Sequence, residues 1–201
     1  MSLLENFRNF YWSISLKKSS LLNPNRDYIK AWVGEEGRQY RENVYNRQKE
    51  GGGKPLIANP KFEEVKRVLK LHSPQSVLEV GCGWGRLLKE LRAEFYVEGC
   101  DVSDDMLKLC PSDIKVFKLD IIQASPQFLK ENLFKWDVIF TRGVMLYFCN
   151  SPLVMDKAMH NLIVLANKKI IVWEWPEVCG YMKSICKSEK FDYRPIKHLN
   201  E

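Results

Sequence analysis

Gly81, Gly83 and Gly85 follow the apolar run Val77-Leu78-Glu79-Val80 and precede Leu87-Leu88. A chain that leaves a buried strand, turns on glycines and enters a helix can lay its backbone against a ligand, because no Cβ stands in the way. The helix start behind such a turn offers unpaired N–H groups and a partial positive charge. Asp101 lies 20 residues beyond Gly81, at the end of the stretch Gly99-Cys100-Asp101. A carboxylate in that position accepts hydrogen bonds from both hydroxyls of a ribose. A glycine turn and an acid in this register read as a nucleoside site. The dinucleotide pattern Gly-x-Gly-x-x-Gly is not met, since the third glycine comes one residue early and Arg86 takes its place. Glu79, two residues before Gly81, suits a cationic ligand or a role in holding the turn in shape.

The elements around these residues follow from periodicity. Asn59-Pro60 reads as an N-cap and first helical residue, followed by an apolar face of Phe62, Val65, Val68 and Leu69 that Pro74 ends. Strands are predicted over 76–80, 95–100, 114–119, 136–141 and 169–175. Helices are predicted with a face of Trp84, Leu87, Leu88 and Leu91, then over 103–110 (capped by Ser103), 126–132 and 151–166. Alternating strands and helices imply an α/β fold, a doubly wound, mostly parallel sheet with helices on both faces. This domain is expected to span 59–201. Residues 1–58 form an arm in which Leu3, Phe7, Phe10 and Ile14 recur at helical spacing, as a packed core face or a membrane-surface face. Glu50-Gly51-Gly52-Gly53-Lys54-Pro55 reads as a loop or hinge. The tail from Pro176 has room for one helix and one strand, near 191–196.

Composition narrows the classes further. The 201 residues are 45% hydrophobic and 28% charged, ordinary for a globular protein, and hold no apolar run long enough to span a bilayer. Glu5, Arg8 and Asn9 interrupt the place of a signal peptide. The six cysteines form no Cys-x-x-Cys pair and read as reduced thiols, which places the chain in the cytoplasm. The net charge of +6 is spread without a basic block, so a nucleic-acid partner is not expected. His72, His160 and His198 give no metal-ligand pattern.

The stretch Glu79-Val80-Gly81-Cys82-Gly83-Trp84-Gly85 resembles the first motif of class I S-adenosylmethionine-dependent methyltransferases. Three further stretches resemble later motifs in order: Asp101-Val102-Ser103-Asp104-Asp105-Met106-Leu107, Leu119-Asp120-Ile121, and Phe134-Lys135-Trp136-Asp137-Val138-Ile139-Phe140-Thr141-Arg142-Gly143-Val144. The resemblance implies a Rossmann-like fold with an N-terminal helical lid, S-adenosyl-L-methionine as cofactor and a small-molecule acceptor. It puts Glu79, Gly81, Cys82, Gly83 and Gly85 in the loop under the cofactor and Asp101 on the ribose. Val102 and Met106 flank the adenine, and Asp120 and Ile121 read its edge. Thr141 and Arg142 meet the methionine end. Val102 and Met106 also fit a plain core, Asp120 a helix or turn cap, and Asp137 a structural role. A Gly-Cys-Gly-Trp-Gly turn also occurs in cyclopropane-fatty-acid synthases, but this chain is short for that group. The family's sheet usually ends in two further strands, the last antiparallel, for which the tail is short.

Methyl transfer from a sulfonium is an in-line displacement that needs alignment and dryness more than a catalytic set. The candidates near the acceptor are Tyr147, as a contact or an aromatic wall, and Glu174, as a base, a cation site or a solvated strand-end acid. Trp32 and Tyr40 are the arm's candidates for acceptor contact, with Arg41 and Tyr45 nearby. Thr141-Arg142-Gly143-Val144 differs from the Asn-Pro-Pro-Tyr motif of amino-methylating enzymes. Alternatives are a protein- or RNA-directed methyltransferase, a non-catalytic cofactor-binding relative and, more remotely, a nicotinamide oxidoreductase.

Overall fold

The computed structural model describes residues 10–14, 33, 35–49, 62–148, 151–174 and 193–196. The strands are β1 Phe10–Ile14, β2 Ser76–Val80, β3 Tyr96–Asp101, β4 Lys115–Lys118, β5 Trp136–Arg142, β6 Ala166–Glu174 and β7 Tyr193–Ile196. The helices are α1 Arg38–Lys49, α2 Phe62–Lys70, α3 Arg86–Leu91, α4 Asp104–Leu107, α5 Pro126–Glu131 and α6 Pro152–Leu165, with 3-10 turns at Glu35–Gly37 and Met145–Tyr147. One sheet runs β4-β3-β2-β5-β6-β1-β7, and every neighbouring pair is parallel. The doubly wound α/β fold read from the sequence is thus the fold of the chain. From β2 the chain winds outward through β3 to β4, then returns to β5 on the other side. The order therefore reverses between β2 and β5, where an open parallel sheet leaves a crevice beyond its strand ends.

Alternation along the strands divides the core between two faces. Val77, Val138, Phe140, Ile171 and Trp173 pack with Val65, Val68 and Leu69 of α2 and Leu87, Leu88 and Leu91 of α3. Leu78, Val80, Ile139, Ile170 and Val172 pack with Met155, Leu162 and other residues of α6 on the opposite face. Trp136 joins this second face although it has the parity of Val138, because the β5–β6 register shifts between Trp136 and Val138. Such an irregularity turns one side chain to the other side. Ser103 caps α4 by accepting from Met106 N, and Ser125 caps α5 by accepting from Phe128 N at 3.1 Å, with Pro126 at the helix start.

Two expectations are corrected. Phe10 and Ile14 do not lie on a helix: Phe-Tyr-Trp-Ser-Ile is β1, an inner strand between β6 and β7. Aromatic and β-branched residues favour a pleated surface, and that preference outweighs the four-residue spacing of the apolar positions. The arm does contribute a helix, but it is α1, farther along. Trp84 precedes α3 rather than lying on its face, because Gly85 with φ +75° is the cap. The tail strand appears as β7, running parallel to β1, where the resemblance leads to an antiparallel end. Leu3, Phe7, the glycine triplet, Asn59-Pro60 and His198 lie outside the described residues. Among the described residues no helix is long and apolar enough to cross a membrane.

Candidate functional site

The C-terminal ends of β2, β3 and β5 open onto one cleft. Its floor is the turn after β2. Gly81 has φ +76°, and a Cβ there would stand 2.2 Å from Val144 Cγ2. Gly83 has φ +55° and open space where a Cβ would be. One glycine lets the turn pack on the segment after β5, and the other leaves room above it. Gly81 N and Cys82 N both donate to Cys100 O, at 2.7 and 3.0 Å, and tie the turn to β3.

Asp101 closes β3 and joins the two halves of the site. Gly83 N donates to its Oδ2 at 2.8 Å and Ser103 N to its Oδ1 at 2.9 Å. Burial pushes its carboxyl above the usual range, while the N–H groups of Ser103, Gly83 and Val102 pull it back. A carboxylate has about four acceptor sites, so these three N–H groups still leave it capacity toward the cleft.

Glu79 is almost wholly buried, yet it borders the cleft. Burial pushes its carboxyl up to about 8; Arg142 opposes this, and Asp101 and Cys110 reinforce it. Among the described residues its Oε2 has no hydrogen-bond partner. A buried, unsatisfied acid costs free energy that a ligand donor relieves. Asp120 accepts from Ile122 N at 2.9 Å, so it is a turn cap and a cleft residue at once.

Most of the sequence candidates meet here. Glu79, Gly81, Cys82 and Gly83 line the cleft from the turn. Asp101, Val102 and Met106 line it from β3 and α4. Asp120, Ile121, Arg142 and Tyr147 complete it. Two candidates do not reach it. Gly85 packs under the turn, where a Cβ would meet Cys110 Sγ at 3.1 Å. Thr141 is fully buried in β5, and its hydroxyl has no partner among the described residues. Alternation sends neighbours 141 and 142 to opposite faces, so only Arg142 serves the cleft. Glu174 ends β6 opposite Ile14 of β1 and Tyr40 lies on α1, but their side chains, like all of Trp32, lie outside the described residues. Asp137 is structural: it accepts from Gln75 N at 2.8 Å, Asn167 Nδ2 at 2.9 Å and Lys168 Nζ at 2.8 Å, near the opposite end of β5.

The cleft also holds residues the sequence reading did not assign: Trp84, Arg86, Val144 and Phe148. Trp84 and Arg86 stand inside the glycine motif, and their place in it is the signal that pointed to them. Phe148 carries no signal beyond following β5, whereas Val144 ends the last of the stretches that resemble a motif. Helix α1 reaches the rim at two points. Arg41, 4% exposed, donates to Asp105 Oδ2 at 2.6 Å, and the Tyr45 ring meets Trp84 edge-on at 5.4 Å between centroids.

Residues 77–166, somewhat less than half of the chain, match the family model described as a methyltransferase domain. That segment contains the glycine turn, Asp101, Asp120 and Arg142. No curated protein sequence matches the chain significantly. The fold is similar to that of a TehB-like SAM-dependent methyltransferase from Corynebacterium glutamicum, at 16% identity and a TM-score of 0.54, over 74% of this chain and 83% of that one. It is also similar to SAM-bound CalS10, an amino pentose methyltransferase from Micromonospora echinaspora, at 20% identity and a TM-score of 0.51, over 67% and 58%. At these identities the likeness shows the fold. The chain spans 63% of a bacterial CtHen1 methyltransferase-domain structure and 53% of a SAM-dependent methyltransferase from Archaeoglobus fulgidus.

Proposed function

We propose that this chain binds S-adenosylmethionine in the cleft and transfers its methyl group to a small-molecule acceptor. The observation that carries this reading is the hydrogen bond from Gly83 N to Asp101, which puts the open glycine turn and the ribose acid in one site. The donor set fits the cofactor. Asp101 takes the sugar hydroxyls; Asp120 and Ile121 lie at the adenine, with Val102 and Met106 as its apolar walls. The unpartnered Glu79 oxygen takes the ammonium of the methionine end, and Arg142 takes its carboxylate.

When bound, S-adenosylmethionine supplies a methyl group already activated by the sulfonium charge. The chain's own part is positioning and exclusion of water. Val144, Tyr147 and Phe148 line the cleft on the side of β5 and keep that end apolar. Tyr147, in the cleft lining, and Glu174, at the end of β6, are the candidates to meet the acceptor or take its proton. Helix α1 acts as a lid that covers the rim at Trp84 and Asp105, and Trp32 and Tyr40 are the candidates of this part of the chain for acceptor contact. A covered rim favours a small acceptor over a macromolecular surface. The unpaired spacing of the cysteines favours a reducing compartment, the cytoplasm.

The test is incubation with methyl-labelled S-adenosylmethionine and a cell extract separated into small-molecule, RNA and protein fractions. Label is expected in the small-molecule fraction and is expected to vanish with Asp101→Ala. Label confined to protein or RNA would contradict the acceptor class.

A further inference from the structure

Two thiols converge beneath the glycine turn. Cys82 belongs to the turn, is 7% exposed and borders the cleft. Cys110 lies just beyond α4, half-buried and outside the cleft lining. Both reach the same carbonyl: Cys110 Sγ lies 3.3 Å from Gly83 O, and Cys82 Sγ lies 3.7 Å from it. Gly85 packs against the same sulfur, where an added Cβ would press on Cys110 Sγ at 3.1 Å. The third described cysteine, Cys100, is fully buried in β3. The neighbouring Cys110 sulfur raises the Cys82 thiol, and Cys82 in turn holds Cys110 below its ordinary value, against the effect of burial. Cys110 is therefore the sulfur that ionises first, and it is also the more accessible one. Those are the properties of an attacking thiolate with a resolving partner beside it.

We propose that Cys82 and Cys110 form a reversible disulfide on exposure to hydrogen peroxide, and that this bond closes the cofactor cleft by drawing the glycine turn out of place. The Cys110 thiolate attacks one peroxide oxygen and the O–O bond breaks. Hydroxide leaves, takes up the proton that Cys110 released, and becomes water, while Cys110 becomes a sulfenic acid. Cys82 then attacks the Cys110 sulfur. The S–O bond breaks, a second water leaves with the Cys82 proton, and the S–S bond forms. Two thiols are oxidised and one peroxide is reduced to two waters.

A covalent S–S bond is much shorter than a thiol–thiol contact, so the turn must move toward Cys110. Gly83 follows Cys82 directly, and its N–H holds Asp101. The shift therefore acts on the bond that carries the site. The effect on binding rests on the cofactor reading; the thiol chemistry does not.

The experiment treats the full chain with hydrogen peroxide, maps disulfide-linked peptides by mass spectrometry and titrates S-adenosylhomocysteine before and after. A peptide linking Cys82 to Cys110 is expected. The affinity is expected to fall about ten-fold or more, and dithiothreitol is expected to restore it. Cys110→Ser is expected to bind like the reduced wild type and to stay unchanged under peroxide. The dithiothreitol reversal gives the same reading without any substitution. The proposal is overturned if no such link forms, if the linked protein binds as tightly as before, or if Cys110→Ser loses affinity under peroxide as the wild type does. Should the reduced protein fail to bind at all, the cofactor reading falls, and with it the gating of the cleft; the linked peptide still decides the thiol chemistry.

Discussion

Gly81 carries a tight steric constraint in the cleft, because its missing Cβ is where Val144 Cγ2 sits. Gly81→Ala combines this overlap with a left-handed backbone. We expect a loss of about 2–4 kcal/mol in denaturant unfolding. Val144→Ala in the same chain should recover part of it, whereas simple additivity in the double-mutant cycle would show that the contact is unimportant. Asp101→Asn keeps the shape and removes the charge. It should weaken S-adenosylhomocysteine binding by about ten- to a hundred-fold, since hydrogen bonds to a charged group contribute roughly 1.5–3 kcal/mol. Glu79 gives a pH dependence. Its carboxyl rises to about 8 on burial, so the folded state holds a proton that the unfolded chain has lost. That contribution is fully present below about 4.5 and is lost as pH rises to about 8. Glu79→Gln should flatten the fall in stability of the ligand-free protein across this window; an unchanged profile in thermal scans would contradict the assignment. Gly81, Gly83 and Asp101 are legible in the sequence because a backbone that must turn and approach a ligand tolerates few residue types. Thr141 shares the motif with Arg142 but not its face, because a motif places neighbours side by side, while a strand sends them to opposite sides.

Helix α1 shows what a single sequence hides at the scale of elements. Its apolar pattern is weak, and its place depends on Arg41 meeting Asp105 and Tyr45 meeting Trp84, contacts between residues far apart in the chain. Strand β1 is hidden for a related reason: five residues have no partner until β6 and β7 exist. By contrast β2, β3, β5 and β6 announce themselves as short buried runs, and Ser103 and Ser125 mark helix starts through their own side chains. If α1 is a lid, Arg41→Ala removes the buried half of its latch. S-adenosylhomocysteine should then dissociate several-fold faster while its association changes little, as stopped-flow measurement would show. Limited proteolysis should also cut the arm more slowly when the ligand is saturating; equal cutting would count against a lid.

At the scale of the whole molecule, topology makes the site. Parallel strands point their C-terminal ends the same way, and the reversal of order between β2 and β5 leaves the crevice uncovered there. The turn, Asp101 and Arg142 are thus delivered by three strands to one place, with the two core faces holding those strands in register. Binding to the folded state alone raises stability by about 2.7 kcal/mol at a hundred-fold excess of ligand over Kd. Calorimetric titration with S-adenosylhomocysteine, repeated with NAD, tests the central claim most directly. Saturable, one-to-one binding of the first, lost in Asp101→Ala, is expected, with no heat from the second. Binding of NAD alone, or of neither, would contradict it.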